Sequence, residues 1–299
     1  MSYKINNRNL IGVMQGRLLP KYNGRYQAHP VNYWEEEFHI AKDIGLDCIE
    51  FILDYSEVDI NPLLTSKGIK KINSLIDKTN IQVKTICADY FMLHPLHSND
   101  QKEVDFSKKI LTRLLQNSSL LNVSEIVIPC VDQASLKELN DLTHFVSQIN
   151  EFIPMLEKLN INLSLETDLP PYAFLSLLNK FSSERVKVNY DIGNSASSGY
   201  SCTEEISLYG DRISDIHIKD RILEGGPTIL GKGNANFKEF FSALSKISYN
   251  GPFIMQAYRD EEGLSVFKKQ LNWIMPYLKK LETISNTLKK RIVEKGVKD

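Results

Sequence analysis

The architecture of this 299-residue chain can be inferred from one short segment, Val186-Lys187-Val188-Asn189-Tyr190-Asp191. Successive side chains of a β-strand point to opposite faces, so its three apolar residues share one face while Lys187, Asn189 and Asp191 share the other. A strand buried by helices on both faces would read as a continuous apolar run. One apolar and one polar face therefore indicate a barrel strand, with helices packed outside and a polar interior that opens onto a site.

The flanking sequence repeats this pattern, and short β-branched runs alternate with amphipathic segments eight times. Strands that alternate with helices pair in parallel through right-handed crossovers. The sequence therefore predicts an α/β fold, a closed (β/α)₈ (TIM) barrel; an open doubly wound sheet is the alternative. The predicted strands are 10–14, 48–53, 83–88, 125–130, 162–166, 186–190, 214–218 and 253–257. The predicted helices are 34–44, 67–79, 102–118, 143–159, 172–181, 203–209 and 237–245, with a last one starting near 264.

The length of the chain fits one such barrel with extensions, since about 250 residues are typical. We therefore expect a single domain over residues 1–299, in which 264–299 form a C-terminal helical extension. The end of that extension is rich in lysine and interspersed with Leu and Ile, which predicts an amphipathic helix that caps the barrel or contacts another subunit. A homodimer is compatible with the sequence.

The composition argues against several classes of protein. The formal net charge is −1, whereas a dedicated nucleic-acid binder normally carries a basic excess. No block reaches the roughly 20 apolar residues that cross a bilayer, and Met1–Asn9 lacks the apolar core of a signal peptide. The four cysteines form no C-x-x-C pair, and we expect buried, reduced thiols. A cytoplasmic protein without a membrane or nucleic-acid partner is the expectation.

Four polar residues each end a different predicted strand: Glu166, Asp191, His217 and Gln256. Active sites of (β/α)₈ barrels lie at the C-terminal ends of the strands, so we expect these side chains to converge there. Two carboxylates, one imidazole and one amide oxygen form a mostly hard ligand set. Such a set favours Mn²⁺, Mg²⁺ or Co²⁺ over Zn²⁺.

An ordered set of motifs extends from about Leu10 to Arg259, and through it the chain resembles the sugar phosphate isomerase/epimerase family, the xylose-isomerase-like barrels. The most specific motifs are those around Asp191, His217 and Gln256. The matching stretches are Gly12-Val13-Met14-Gln15-Gly16-Arg17-Leu18, Asp47-Cys48-Ile49-Glu50-Phe51, Leu165-Glu166-Thr167-Asp168, Val188-Asn189-Tyr190-Asp191-Ile192-Gly193-Asn194, Ile216-His217-Ile218-Lys219-Asp220-Arg221, Leu230-Gly231-Lys232-Gly233-Asn234 and Gly251-Pro252-Phe253-Ile254-Met255-Gln256.

The resemblance implies a barrel that holds a divalent metal with Glu, Asp, His and Glu from its fifth to eighth strands. Glu166, Asp191 and His217 match three of these ligands, whereas Gln256 stands where the family's ketose epimerases have a second Glu. In those enzymes the two glutamates lie on opposite faces of the sugar and move protons. Glutamine can coordinate through its oxygen but cannot act as a base. Asn194 is a second departure, near a substrate-binding His of those enzymes.

These features predict a metal-dependent isomerase or epimerase that acts on a small sugar or sugar phosphate by proton transfer next to a carbonyl. Glu166 is the candidate base. Lys219 shares the strand face of His217 and is the candidate for the second proton-transfer group. With Gln256 in place of a base, one-base aldose–ketose isomerisation becomes more plausible than two-base epimerisation.

The candidate substrate-binding residues follow strand ends or lie on inward faces. An arginine can hold a phosphate or carboxylate through two parallel hydrogen bonds. Glu50 is expected to bind a substrate hydroxyl or the Lys219 ammonium, and the Gly231-x-Gly233 loop is either a tight turn or a phosphate cradle. The full candidate set is Arg17, Glu50, Asn194, Arg221 and Arg259.

Three other functions remain open for this sequence. A lyase that dehydrates a polyol or keto-acid would use the same metal and base. A degenerate barrel that binds a sugar without turning it over would explain Gln256. The related abasic-site endonucleases need many histidines for several zinc ions; this chain has six, of which only His217 occupies a strong ligand position. The endonuclease function is therefore disfavoured.

Overall fold

Parallel strands close into a barrel in the computed structural model, which describes residues 8–260 and 263–296. Each barrel strand pairs with the next, and the last, β10, closes the ring by pairing with β7 and β1. This order confirms the (β/α)₈ barrel and excludes the open sheet. The strands are β1 (Ile11–Met14), β2 (Cys48–Ile52), β3 (Thr85–Cys87), β4 (Glu125–Cys130), β5 (Asn162–Thr167), β6 (Val186–Asp191), β7 (Ile213–Ile218), the hairpin strands β8 (Asp220–Arg221) and β9 (Pro227–Thr228), and β10 (Phe253–Met255).

Helices fill the connections between the strands, and side-chain caps set where several of them begin. The Thr65 hydroxyl accepts a hydrogen bond from the Gly68 amide at the start of α2, and the Asp100 carboxylate caps α4. The short α3 and α7 were not predicted, because four and six residues are too few to show helical periodicity. The helices are α1 (Glu36–Asp43), α2 (Ser66–Thr79), α3 (Tyr90–Leu93), α4 (Gln101–Ser119), α5 (Leu139–Leu159), α6 (Pro171–Leu178), α7 (Ile192–Ser197), α8 (Cys202–Tyr209), α9 (Phe237–Leu244) and α10 (Leu264–Gly296).

The barrel interior contains both buried polar residues and a small apolar cluster. Strands β5 to β7 turn inward the polar residues that their alternation predicts, and His217 and Asp215 of β7 are fully buried there. Glu50 of β2 and Glu125 of β4 are buried polar residues of the interior as well. A small apolar cluster of Met14, Cys48, Ile52, Cys87, Val127 and Ile254 fills another part of it, so the expected polar interior is found only in part. The candidate metal ligands lie on β5, β6 and β7 and directly after β10.

The four cysteines are free thiols, as expected. Cys48, Cys87 and Cys130 are buried, and Cys202 at the start of α8 is partly exposed. Burial raises the pKa of Cys48 and Cys87 well above the ordinary value for a thiol. These thiols act as small apolar groups in the core.

The chain ends on a long helix, α10, that packs on the outside of the barrel. Its residues Phe267 and Ile274 are fully buried, and Trp273 and Tyr277 contact the ring of Phe237 in α9. The predicted extension thus starts as expected at position 264. The described residues do not include 1–7 and 297–299. Both ends of the predicted single domain, and most of the segment considered as a signal peptide, therefore lie outside them. Within the described part, no helix is long and apolar enough to cross a membrane.

The Gly231-x-Gly233 loop is organised by a buried carboxylate. Asp220 accepts hydrogen bonds from the backbone amides of Gly231, Gly233 and Ala235, at 2.9, 2.9 and 3.0 Å. A Cβ on Gly233 would lie 2.2 Å from the Asp220 carboxylate, so only glycine allows this approach. These amides face the protein's own anion, which makes the loop a tight turn rather than a phosphate cradle.

Replacing Asp220 with Ala should lower the free energy of unfolding by about 3 kcal/mol or more, because hydrogen bonds to charged groups contribute about 1.5–3 kcal/mol each. Asp220→Asn keeps one acceptor oxygen and should lose less. Denaturant unfolding of the three proteins measures both changes. An Ala variant as stable as the wild type would contradict the role assigned to this carboxylate.

Candidate metal centre

Three ligand-type side chains converge at the C-terminal end of the barrel. Glu166 lies near the end of β5, Asp191 is the last residue of β6, and His217 pairs with Asp191 in the register of β6 and β7. The Nδ1 atom of His217 is 3.7 Å from Glu166 Oε2 and 3.9 Å from Asp191 Oδ2. One ligand atom from each residue lies within 4.8 Å of the others, and all three side chains are buried. This spacing suits a single divalent cation.

Gln256 follows β10 directly and lines the same cavity as Glu166 and Asp191. Its Nε2 donates to the Oε1 of Gln27 at 2.8 Å. Its own Oε1 is buried and has no hydrogen-bond partner within the described part of the chain. A buried acceptor without a partner is costly, and a cation would satisfy it. Gln256 thus lines the same cavity as two of the predicted ligands, and His217 lies beside those two.

The orientation of His217 is set from inside the barrel. Its Nε2 lies 2.8 Å from Oε1 of Glu50, which is fully buried. Because a carboxylate can only accept a hydrogen bond, Nε2 of His217 carries a proton. The other ring nitrogen, Nδ1, faces Glu166 and Asp191. Burial would lower the pKa of His217, but the charge and hydrogen bond of Glu50 outweigh it and raise the pKa to about 9. A carboxylate behind an imidazole is the usual way to orient a histidine ligand.

Glu50 therefore occupies a different place from the one predicted. It does not line the cavity, and Lys219 donates to Asp191 Oδ2 at 3.2 Å instead of to Glu50. Asp215 lies deeper, close to Glu50 and His217. Burial and then the charge of Glu50 raise the pKa of Asp215 well above its ordinary range.

Glu166 is a buried carboxyl whose nearest polar contacts are amides. It accepts from Asn194 Nδ2 at 2.5 Å and from Asn189 Nδ2 at 3.3 Å. Burial, followed by repulsion from Asp191, raises the pKa of Glu166 to about 7. Two carboxylates buried side by side repel each other, and a divalent cation between them would remove that repulsion. The donor set fits such an ion.

Asn194 and Arg221 also line the cavity, and they contact each other. Nη1 of Arg221 donates to Asn194 Oδ1 at 2.9 Å, while Nε and Nη2 donate to the Gly225 carbonyl. Because arginine only donates, the oxygen of the Asn194 amide must face Arg221 and its nitrogen must face Glu166. These two predicted residues thus hold the carboxyl of Glu166 in place.

Arg17 and Arg259 lie near the mouth of the barrel but do not line the cavity. Arg17 donates to the Ala257 carbonyl and to Gln27 Oε1, both at 3.2 Å. Arg259 lies over the ring of Tyr26, 4.8 Å from its centroid, and donates to the Arg17 carbonyl at 2.8 Å. In the structure both guanidinium groups therefore hold the loops of the rim.

Among the polar residues that line the cavity, Asp89 and Gln27 were not predicted as site residues. Asp89 follows β3 by two positions, so the strand-end pattern that marked Asp191 contained a signal for it. Gln27 lies in the long segment between β1 and α1, where the sequence shows no periodicity. No feature of the sequence alone would have placed it beside Gln256.

The comparisons with known proteins agree with this fold. Residues 38–277 match the family model described as xylose isomerase-like TIM barrel, and the chain belongs to this family. SgbU of Haemophilus influenzae, which bears the provisional name L-ribulose-5-phosphate 3-epimerase, is 26% identical over 272 residues, 85% of this chain and 95% of that protein. The L-ribulose-5-phosphate 3-epimerase UlaE of Escherichia coli K12 is 21% identical over 257 residues, 81% of this chain and 88% of that protein.

Solved structures show the same architecture. The crystal structure of a D-tagatose 3-epimerase-like protein superposes with a TM-score of 0.70 at 17% sequence identity, covering 92% of this chain and 98% of the other. At this level of identity the likeness concerns the fold. The family model over residues 38–277, in turn, confirms the resemblance that the sequence motifs indicated.

Removing the Glu50 carboxylate should weaken cation binding without a change of any ligand. Glu50→Gln should lower the affinity for Mn²⁺ by about 10–100-fold, the usual effect of losing the group behind a histidine ligand. Titration calorimetry with Mn²⁺ measures this change. Glu125→Gln is the matched control, since Glu125 is another buried carboxyl of the barrel interior that bonds Ser164 rather than His217. Equal losses in the two variants would contradict the specific role of Glu50.

Proposed function

We propose that this protein is a divalent-metal-dependent isomerase or epimerase that moves a proton next to the carbonyl of a small sugar or sugar phosphate. The names of SgbU and UlaE support a sugar phosphate as the substrate class. The cavity, of about 200 Å³, is lined mainly by polar side chains, which suits a compound rich in hydroxyl groups. Arg221 at its edge supplies a positive charge for a phosphate.

The placement of Glu166 is the observation that carries this proposal. Its carboxyl is buried in the cavity next to the other ligand-type groups, where it can take a proton from a bound substrate. Asn194, oriented by Arg221, donates to one of its oxygens. The base is thus held in one position.

The residues that would hold the metal are Glu166, Asp191, His217 through Nδ1, and Gln256 through Oε1. This oxygen-rich set favours Mn²⁺, Mg²⁺ or Co²⁺ over Zn²⁺. A divalent cation bound there supplies Lewis-acid polarisation of the substrate carbonyl, which makes the neighbouring C–H more acidic. Two carboxylates balance its charge.

The second proton-transfer group in this chain is Lys219. Gln256 has no proton to exchange, whereas the Lys219 ammonium lines the cavity and lies 3.2 Å from Asp191 Oδ2. Glu166 would take the proton from the carbon next to the carbonyl. If Glu166 returns the proton to the former carbonyl carbon, while the hydroxyl proton of the carbon that lost it passes to the former carbonyl oxygen, the result is aldose–ketose isomerisation. If Lys219 instead gives a proton to the original carbon from the other face, the result is the epimer, and the abstracted proton stays on Glu166.

Two further expectations accompany this proposal. A metabolic enzyme of this kind would work in the cytoplasm, and a homodimer would be its assembly. Both stay predictions from the sequence, which fractionation and sedimentation of the purified protein would test.

Substrate proton exchange tests the role of Glu166. The Mn²⁺-loaded protein is incubated with ketoses and ketose phosphates in D₂O, and the carbon-bound protons are followed by NMR. We expect deuterium next to the carbonyl with the wild type and a loss of at least about 10²-fold with Glu166→Gln, because the amide cannot accept the proton. Near-wild-type exchange by a folded Glu166→Gln variant would contradict its role. Absence of exchange across the whole panel would instead favour a lyase, a hydride shift or a binding-only barrel.

Lys219 should control the stereochemistry rather than the removal of the proton. Lys219→Met should still exchange the substrate proton, because Glu166 is intact, but should form the epimer about 10²-fold or more slowly. Chromatographic resolution of the epimers, alongside the NMR assay, separates the two rates. Lys187→Met is a suitable control, since Lys187 pairs with the exposed Glu184 outside the cavity. Unchanged epimer formation in Lys219→Met would rule out this assignment.

A further inference from the structure

The amide of Gln256 can support a cation with only one of its two ends. Its oxygen is a ligand, whereas its NH₂ group would repel a positive charge. A glutamate at this position has two equivalent oxygens and needs no such choice. The structure must therefore contain something that decides which end of Gln256 faces the cavity.

Gln27 makes that contact, and its own orientation is fixed independently from two sides. Nη2 of Arg17 lies 3.2 Å from one terminal atom of Gln27, and that atom must be the oxygen because a guanidinium only donates. The other terminal atom lies 3.1 Å from Asp89 Oδ2, which fits the nitrogen as donor to a carboxylate. The constraint from Arg17 holds whatever the protonation state of Asp89.

The orientation of Gln256 follows from that of Gln27. The Gln27 oxygen accepts from Gln256 at 2.8 Å, so the atom of Gln256 in this contact is its nitrogen. The oxygen of Gln256 then points the other way, where it is buried without a partner in the described residues. We propose that Gln27 is a positioning residue that, fixed by Arg17 and Asp89, turns the Gln256 oxygen onto the cation site.

This inference rests on the metal site of the proposed function and extends it to residues outside the ligand set. It gives Arg17 a role through Gln27 instead of through a substrate anion. It also explains how Gln256 can be a metal ligand, although a glutamate at that position would need no neighbour to orient it. Positioning by Gln27 is needed only because residue 256 is an amide. Unlike a carboxylate, an amide can present its NH₂ group instead of its oxygen to the cation.

A double-mutant cycle on Mn²⁺ affinity tests the proposal without any assay of turnover. Gln27→Leu and Gln256→Leu should each weaken Mn²⁺ binding by about tenfold or more, as is usual for groups that support or form a metal site. The double variant should bind no more weakly than Gln256→Leu alone, because Gln27 acts through Gln256. Gln148→Leu, at another buried glutamine on α5, should leave the affinity unchanged.

Each outcome of the titrations decides the question. Losses that add in the double variant would mean that Gln27 acts independently of Gln256, and an unchanged Gln27→Leu affinity would mean that it does not act at all; either overturns the proposal. A wild type that binds no Mn²⁺ would overturn the metal site itself. If circular dichroism shows that Gln27→Leu does not fold, Asp89→Asn replaces it in the cycle. Asp89→Asn should cause a smaller loss of Mn²⁺ affinity, and this loss should be absent when Gln256→Leu is also present.

Discussion

The proximity of two buried carboxylates, Glu166 and Asp191, is the constraint on which the rest of the site depends. Adjacent parallel strands bring the two groups to the same end of the barrel, where little water can screen their charges. Their repulsion must be offset by neighbouring donors, by a proton or by a cation. The imidazole of His217 and the ammonium of Lys219 provide part of that compensation. The pKa of about 7 for Glu166 shows that they do not provide all of it.

Around this pair, side chains that can only donate or only accept hydrogen bonds determine the orientation of amides and imidazoles, which can do both. Arginine can only donate, so Arg221 fixes the amide of Asn194, and Arg17 fixes that of Gln27. The Glu50 carboxylate accepts from His217 and thereby selects its tautomer. Glu50 contacts a candidate ligand directly, whereas Arg221 and Arg17 each act through one intervening amide. The orientations of His217, Asn194 and Gln27 are consequently set from the rim or from the barrel interior.

The sequence predicted those parts of the structure that depend on local periodicity. Alternation of polar and apolar residues placed the strands. The ends of those strands placed Glu166, Asp191 and Gln256 along one cavity, with His217 beside the two carboxylates. Contacts across the barrel carry no such signal. Glu50 has the inward parity that was expected, yet its partner is set by the width of the barrel, which brings it to His217 and not to Lys219. The place of Gln27 depends on the path of a loop, which no periodic pattern encodes.

The burial of three of the four cysteines means that their reactivity reports opening of the barrel. Cys48 and Cys87 belong to the apolar cluster of the interior, and Cys130 is buried at the end of β4. Only the thiolate form of cysteine reacts readily, and burial suppresses that form as well as access. An alkylating reagent therefore meets Cys202 in the closed barrel and the other three only when strands separate. The rate at which those three thiols become labelled reports how often the molecule exposes its centre, with no engineered probe.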